Sequence, residues 1–163
     1  MTPLPPPPKE PKAVTNLDVL APKFRDAVLH AFDSMHALGF DPIITESLRT
    51  AERQQWLYGF GRDYDDGRGV VTNAPTGQWS WHFFGLAVDV TSKKMPDQPG
   101  WTFWSNLGGA ARRNELTWGG SWIRFTDLPH LQWGRCRQSP STRAIQLYNE
   151  GGFEAVWHEV GAM

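Results

Sequence analysis

Gly85 divides one dense stretch of this chain into two parts of different character, and that division constrains the fold most. Before it stands Ser80-Trp81-His82-Phe83-Phe84; after it Leu86, Val88 and Val90 alternate with Ala87, Asp89 and Thr91. Such alternation is the period of a β-strand and puts Asp89 on the face opposite the aliphatic residues. A helix through His82 and Asp89 is disfavoured by Gly85 and the strand-like run after it. A bend at Gly85 returns the chain instead, so that His82 and Asp89 converge. A second dense stretch, Asp127-Leu128-Pro129-His130-Leu131-Gln132-Trp133, carries another histidine behind a proline that keeps the preceding backbone extended. Two neutral imidazoles and one carboxylate make a ligand set suited to Zn²⁺, with a fourth position left for water. Asp127, beside the last of them, would then handle that water's proton. By spacing alone, His82 and His130 serve equally well as half-buried, hydrogen-bonded histidines in a Trp-rich core.

Composition narrows the chemistry. A chain of 163 residues with a formal charge of -1 is most simply one domain. It carries no electrostatic footprint for nucleic acid or an anionic membrane. Cys136 is the single cysteine, so an intramolecular disulfide and a Cys-rich zinc site are both excluded, and any metal has to be held by His and carboxylate. We read Cys136 itself as a packing residue. Met1 to Lys12 is dominated by proline, at Pro3, Pro5 to Pro8 and Pro11. This reads as a polyproline-type extended arm, a solvated flexible tail over 1–14 ahead of a single domain over 15–163, with an SH3-type ligand as the other reading. The arm lacks the basic start and apolar run of a secretory signal, and no stretch approaches the roughly 20 apolar residues that span a bilayer. The expectation is a protein made in a cytoplasm, without membrane insertion.

The rest of the chain reads as helices and short strands. Phe24, Val28, Ala31, Phe32, Met35 and Leu38 recur at helical spacing from a start at Ala21-Pro22 to a stop at Gly39. His30 and His36 lie off that stripe and are read as surface residues; His158 is read as structural. Ile43-Ile44-Thr45 is a short β-rich run, and Thr50 caps a helix through about Tyr58. Arg62 to Gln78 is a long loop of the kind that is functional or mobile. Phe103 to Arg113 reads as a helix with Phe103, Leu107, Ala110 and Ala111 inward. Trp118-Gly119-Gly120-Ser121-Trp122 reads as a bend or bulge into a strand, and Leu131 to Trp133 as a strand. Ser141 to Asn149 is a last helix, followed by Gly151-Gly152 and a short Phe153 to Val160 segment. Without regular βαβ alternation, the class is a small α+β domain.

The order of motifs decides between the two readings of the histidines. Ser80-x-His82-x-x-Gly85-x-Ala87-x-Asp89, then Trp118-Gly119-Gly120-x-Trp122, then Asp127-x-x-His130, resembles the LAS metallopeptidases. That group includes peptidoglycan D,D-carboxypeptidases and phage L-alanyl-D-glutamate endopeptidases. Upstream, Ser47-Leu48-Arg49-Thr50 with Gln54, Gly61-Arg62 and Val71-Thr72-Asn73-Ala74 are similar to theirs too, so the resemblance runs from about Pro42 to Trp133. It implies a small antiparallel sheet that carries the metal site and packs with helices. It implies one Zn²⁺ bound by His82, Asp89 and His130, Asp127 as the catalytic carboxylate, and Arg49 as a catalytic and substrate-binding arginine. Ser80 and Gln54 are further substrate-side candidates: Ser80 through the substrate or the first ligand's surroundings, Gln54 through Arg49. A partly desolvated position near Trp133 is expected to tune Asp127. Leu48 departs from an aromatic common in the family, and Trp81, Phe83 and Phe84 make the first motif more aromatic. Trp79, Trp81, Trp118 and Trp122 flank the motifs, either walling a cleft or packing.

The Thr-Asn-Ala and Trp-Gly-Gly-x-Trp runs look more like the endopeptidase branch. The expected function is therefore a monomeric zinc peptidase acting on the peptidoglycan peptide stem. It would be a phage endolysin held in the host cytoplasm until a holin releases it. The alternatives are a D-alanyl-D-alanine carboxypeptidase of the same family and a non-catalytic zinc-stabilised wall-binding module.

Overall fold

The computed structural model describes residues 2–163. In chain order these form α1 (Pro22–Ala37), β1 (Pro42–Glu46), α2 (Ala51–Gly59), β2 (Ala87–Ser92), α3 (Trp101–Arg113), β3 (Leu116–Trp118), β4 (His130–Trp133) and α4 (Thr142–Glu159). Short 3₁₀ turns cover Gly77–Trp79 and Gly119–Ser121.

Local chemistry accounts for most of these boundaries. Pro22 opens α1, where its missing N–H is no loss, and Phe24, Val28, Ala31, Phe32 and Met35 are all buried. The helix stops before Leu38, which is 55% exposed and so leaves the apolar stripe it was expected to extend. The Thr50 side chain accepts the Arg53 N–H at 3.2 Å and caps α2. α3 begins at Trp101, two residues earlier than expected, with Trp101 itself exposed; Phe103, Leu107, Ala110 and Ala111 point inward as read. Ser141 caps α4, and Gly152, at φ 71° and ψ -161°, breaks it where the glycine pair interrupts the helical pattern.

All strand pairings are antiparallel, in the order β1-β2-β4-β3. The fold is therefore the expected small α+β domain with an antiparallel sheet. The two central strands set the site's geometry. Asp89 lies directly across from His130, and Ala87 across from Gln132. The strand period then places Asp89, His130 and Gln132 on one face. Leu86, Val88, Val90, Leu131 and Trp133 belong to the main core together with residues of α1 and α3.

The proline-rich arm differs from the solvated tail expected of it. Pro5 and Pro8 carbonyls accept from the Asp65 N–H and the Trp56 Nε1–H at 3.0 and 2.9 Å. The Pro11 carbonyl and the Glu10 carboxylate both take the Arg53 guanidinium, each at 2.8 Å. An extended proline segment leaves its carbonyls unpaired, so donors presented by α2 and the loop after it can seat it. Met1 lies outside the described residues. Among the described residues, no helix is long and apolar enough to cross a membrane.

Gly85 is the pivot of the arrangement. Its φ of +67° is left-handed, and a Cβ there would meet the Val19 carbonyl oxygen at 3.1 Å. Gly85→Ala is expected to cost about 1–2 kcal/mol of unfolding free energy, the steric penalty of an L-residue in that region. Urea unfolding measures it, and an unchanged midpoint would contradict the pivot.

Candidate metal centre

His82 is the second residue of a tight turn that closes at Gly85. Ser80 Oγ accepts the His82 N–H at 3.3 Å, the Ser80 carbonyl accepts the Phe83 N–H at 3.1 Å, and the Trp81 carbonyl accepts the Leu86 N–H at 3.1 Å. The ring is buried, with Nδ1 at 3.0 Å from the Ser47 carbonyl oxygen. A carbonyl only accepts, so Nδ1 carries the proton and Nε2 presents a lone pair. Asp89 Oδ1 is 3.3 Å from that Nε2 and 3.6 Å from His130 Nδ1.

The second imidazole is oriented from its own strand. Gln132 shares its face, and Gln132 Oε1 lies 3.0 Å from His130 Nε2. The Gln132 amide nitrogen donates to the Arg137 carbonyl at 2.7 Å, which fixes Oε1 toward the ring. Nε2 therefore bears the proton and Nδ1 is free to ligate. Outer partners of this kind set the tautomer of metal-binding histidines.

Three donor atoms, one each from His82, Asp89 and His130, lie within 4.8 Å of one another. Tetrahedral zinc with bonds of about 2.0–2.1 Å separates its donors by roughly 3.3–3.4 Å, close to the spacings around Asp89 Oδ1. His82 Nε2 and Asp89 Oδ1 are buried without a hydrogen-bond partner. Two acceptors facing one another away from water are costly, and a divalent cation held between them and His130 Nδ1 satisfies both. The residues fit a metal ion.

Charges around the centre are graded. Burial alone would raise the Asp89 carboxyl, but His82, His130 and Arg49 together hold it well below the usual carboxylate range. Asp127 goes the other way: partial removal from water, then the charge of Asp89, pushes it above its ordinary value. Its Oδ2 is 4.0 Å from His130 Nδ1, and the side chain stays 49% exposed at the mouth of the site. Gly119 makes this approach feasible: its carbonyl accepts the Asp127 N–H at 3.0 Å, and a Cβ on it would meet the Asp127 carbonyl oxygen at 2.5 Å.

Arg49 reaches the centre from the β1–α2 connection, with NH2 at 3.4 Å from Asp89 Oδ2 and NH1 at 3.1 Å from Gln54 Oε1. Gln54 in turn donates to the Ala74 carbonyl at 2.7 Å and ties the Thr72-Asn73-Ala74 loop to α2. The cleft above these groups has a volume of about 1070 Å³, with Val71, Asn73 and Trp79 on one side and Trp122 and Phe125 among its other lining residues.

The aromatic beside the site is not the one expected. Strand alternation turns Trp133 away from His130 into the core, where its Nε1 donates to the Val160 carbonyl at 2.7 Å. Trp122 stands against the His130 ring instead, at 5.0 Å between centroids. Trp118 packs, with Nε1 on the Leu128 carbonyl; Trp81 is buried at the cleft's edge, and Trp79 is the exposed wall. Burial pushes the Cys136 thiol up to about 12, so it holds no thiolate near neutral pH.

Sequence reasoning missed Ser47, Gln132 and Glu46. Gln132 was within reach, because i and i+2 share a strand face. Gln132→Leu removes the acceptor of the His130 N–H, and a 10–100-fold weaker zinc affinity is expected. Competition against a fluorescent chelator measures it, and wild-type affinity would contradict the assignment.

Known proteins are similar to this chain in sequence and in fold. Residues 73–133 match the peptidase M15 family described as D-alanyl-D-alanine carboxypeptidase. The peptidoglycan L-alanyl-D-glutamate endopeptidase CwlK of Bacillus subtilis is 34% identical over 58% of this chain and 61% of its own length. An L-alanyl-D-glutamate peptidase of a Listeria phage is 26% identical over 74% of this chain and 40% of its own. The chain thus spans less than two thirds of the length of both relatives. Among solved structures, the L-Ala D-Glu endopeptidase ChiX of Serratia marcescens superposes with a TM-score of 0.54 at 24% identity, over 77% of this chain and 90% of that one. The vancomycin-resistance D,D-pentapeptidase VanY, solved with Zn(II), gives 0.52 at 18% identity, over 82% and 81%. The resemblance read from the motifs is borne out: in sequence and in fold, this chain is similar to the LAS-type metallopeptidases of the peptidase M15 family.

Proposed function

We propose that this chain is a zinc-dependent peptidoglycan hydrolase that cleaves the L-alanyl-D-glutamate bond of the peptide stem. The observation that carries the reading is the convergence of three oriented, buried donor atoms at the floor of an open cleft, beside a second carboxylate and a fixed arginine. The choice of bond is supported by the similarity to two L-alanyl-D-glutamate peptidases, one bacterial and one from a phage. The description of the matching family favours a second reading, a D-alanyl-D-alanine carboxypeptidase working with the same groups.

His82, Asp89 and His130 would hold one zinc ion, which when bound supplies Lewis-acid polarisation of the scissile carbonyl and acidifies water to a pKa of about 7. Asp127 takes the proton of the attacking water and returns it to the leaving amide nitrogen. Its raised carboxyl suits the first half of that exchange, and its exposed edge lets it turn toward the second. Arg49 presents a permanent planar charge beside the centre, directed at a developing oxyanion or a stem carboxylate. Gln54 orients that guanidinium, and Ser80, among the residues lining the cleft, holds the His82 backbone through its Oγ. Trp79 and Trp122 give the stem an apolar bed.

The domain reading that follows is a monomeric catalytic unit over 15–163 preceded by the arm over 1–14. The similarity to a phage peptidase supports a lysis enzyme that gathers in the host cytoplasm and reaches the wall after holin action.

Asp127→Ala is expected to lower the turnover of purified peptidoglycan about 10²–10⁴-fold while one zinc per chain is retained. Mass spectrometry of the released muropeptides gives rate and bond together. Unchanged degradation by the variant would refute the role of Asp127, whereas a zinc-loaded wild type that binds peptidoglycan and degrades none would make the wall-binding module the better reading. Loss of terminal D-Ala alone would turn the assignment to the carboxypeptidase.

A further inference from the structure

Behind Arg49 lies a line of alternating charges that the reaction does not use directly. Glu46 ends β1, with its side chain 4% exposed. One of its oxygens, Oε1, meets Arg49 Nε at 2.7 Å and NH2 at 2.5 Å. The other, Oε2, accepts from Arg53 Nε. Arg53, 13% exposed, turns its NH1 outward to Glu10 Oε1 and the Pro11 carbonyl of the arm. The chain of contacts therefore runs from Glu10 through Arg53, Glu46 and Arg49 to Asp89, a residue of the metal centre.

We infer that Glu46 and Arg53 are positioning residues for Arg49, and that the arm segment Glu10-Pro11 forms the outer end of the network that holds them. A carboxylate shared by two guanidiniums stays buried only while both cations are in place. Arg53 sits one helical turn from Thr50 in α2, over the Trp56 ring, and without the arm its NH1 would have only solvent. Seated by the arm, it pins Glu46 Oε2, which leaves Oε1 for Arg49 in one orientation. Each nitrogen of the Arg49 guanidinium is then engaged, by Glu46, Gln54 and Asp89, so its plane is set before a substrate arrives. An irregularity in β1 pairing between Ile44 and Glu46 brings Glu46 opposite Asp89, which is why a strand residue can serve the same face as the metal donors.

The substrate side of this inference rests on the proposed hydrolase reading, and the test separates the two. The Arg49 Nε–H is followed by NMR in the zinc-loaded full chain, alongside kinetics on a defined stem peptide. Wild type should show a slowly exchanging Arg49 Nε–H. Glu46→Gln should accelerate that exchange at least about tenfold and raise KM about 10–100-fold with zinc content unchanged, since small misplacements of a positioning group cost on that order. Glu46→Asp should recover part of both. Glu10→Gln, on an exposed carboxylate that leaves the core untouched if the buried variant folds poorly, should accelerate exchange at the Arg53 Nε–H and, more weakly, at Arg49. An Arg49 Nε–H as protected in Glu46→Gln as in wild type overturns the inference whatever the peptide assay returns. A wild type that cleaves no stem peptide while the exchange pattern appears as expected overturns the hydrolase reading alone.

Discussion

A carboxylate oxygen and two imidazole lone pairs converge in the interior with no proton donor between them, and the surrounding structure is arranged to hold them so. Asp89 and His130 are cross-strand partners in the two central strands, so their separation is set by sheet geometry. His82 is delivered from a turn whose closure needs the left-handed Gly85. Both rings have one nitrogen committed to an outer acceptor, Ser47 for the first and Gln132 for the second. Such a cluster is unfavourable for a protein alone and favourable with a divalent cation, which ties metal binding to the stability of the sheet.

Around this point the charges divide the labour. Asp89 is held ionised beside the two imidazoles, while Asp127, with a similar side chain, is raised and left at the cleft mouth. Environment sets the two roles apart, as it does wherever one pair of carboxylates has to serve two purposes. Arg49 joins the two halves of the site, touching a metal-centre carboxylate on one side and the loop-bearing α2 on the other through Gln54. The cleft loop is thereby tied to the same framework as the metal donors.

Much of this was legible from residue patterns, because it follows from local rules. The alternation after Gly85 revealed which face Asp89 takes, and the convergence of His82 with it followed from a bend only glycine accommodates easily. The stripe of α1 and the Thr50 cap were equally readable. Other parts were hidden for identifiable reasons. The partner of His82 Nδ1 is a backbone carbonyl, which leaves no side-chain signature. Glu46 acquires its role through a local irregularity in strand register that no periodicity announces. Trp133 was placed at the site by proximity in sequence, but the strand period sends it to the opposite face and Trp122 arrives from the Gly119 turn. Docking of the proline arm depends on donors from a distant helix, so its composition alone spoke only of an extended chain.

The central claim is that His82, Asp89 and His130 form one zinc site. X-ray absorption on the protein loaded with one equivalent of zinc tests it most directly. The account predicts a single tightly held ion with two imidazole nitrogens and oxygen donors at about 2.0–2.1 Å, lost in His82→Ala. Failure to retain zinc, or a first shell that keeps two imidazoles after His82 is removed, would contradict it.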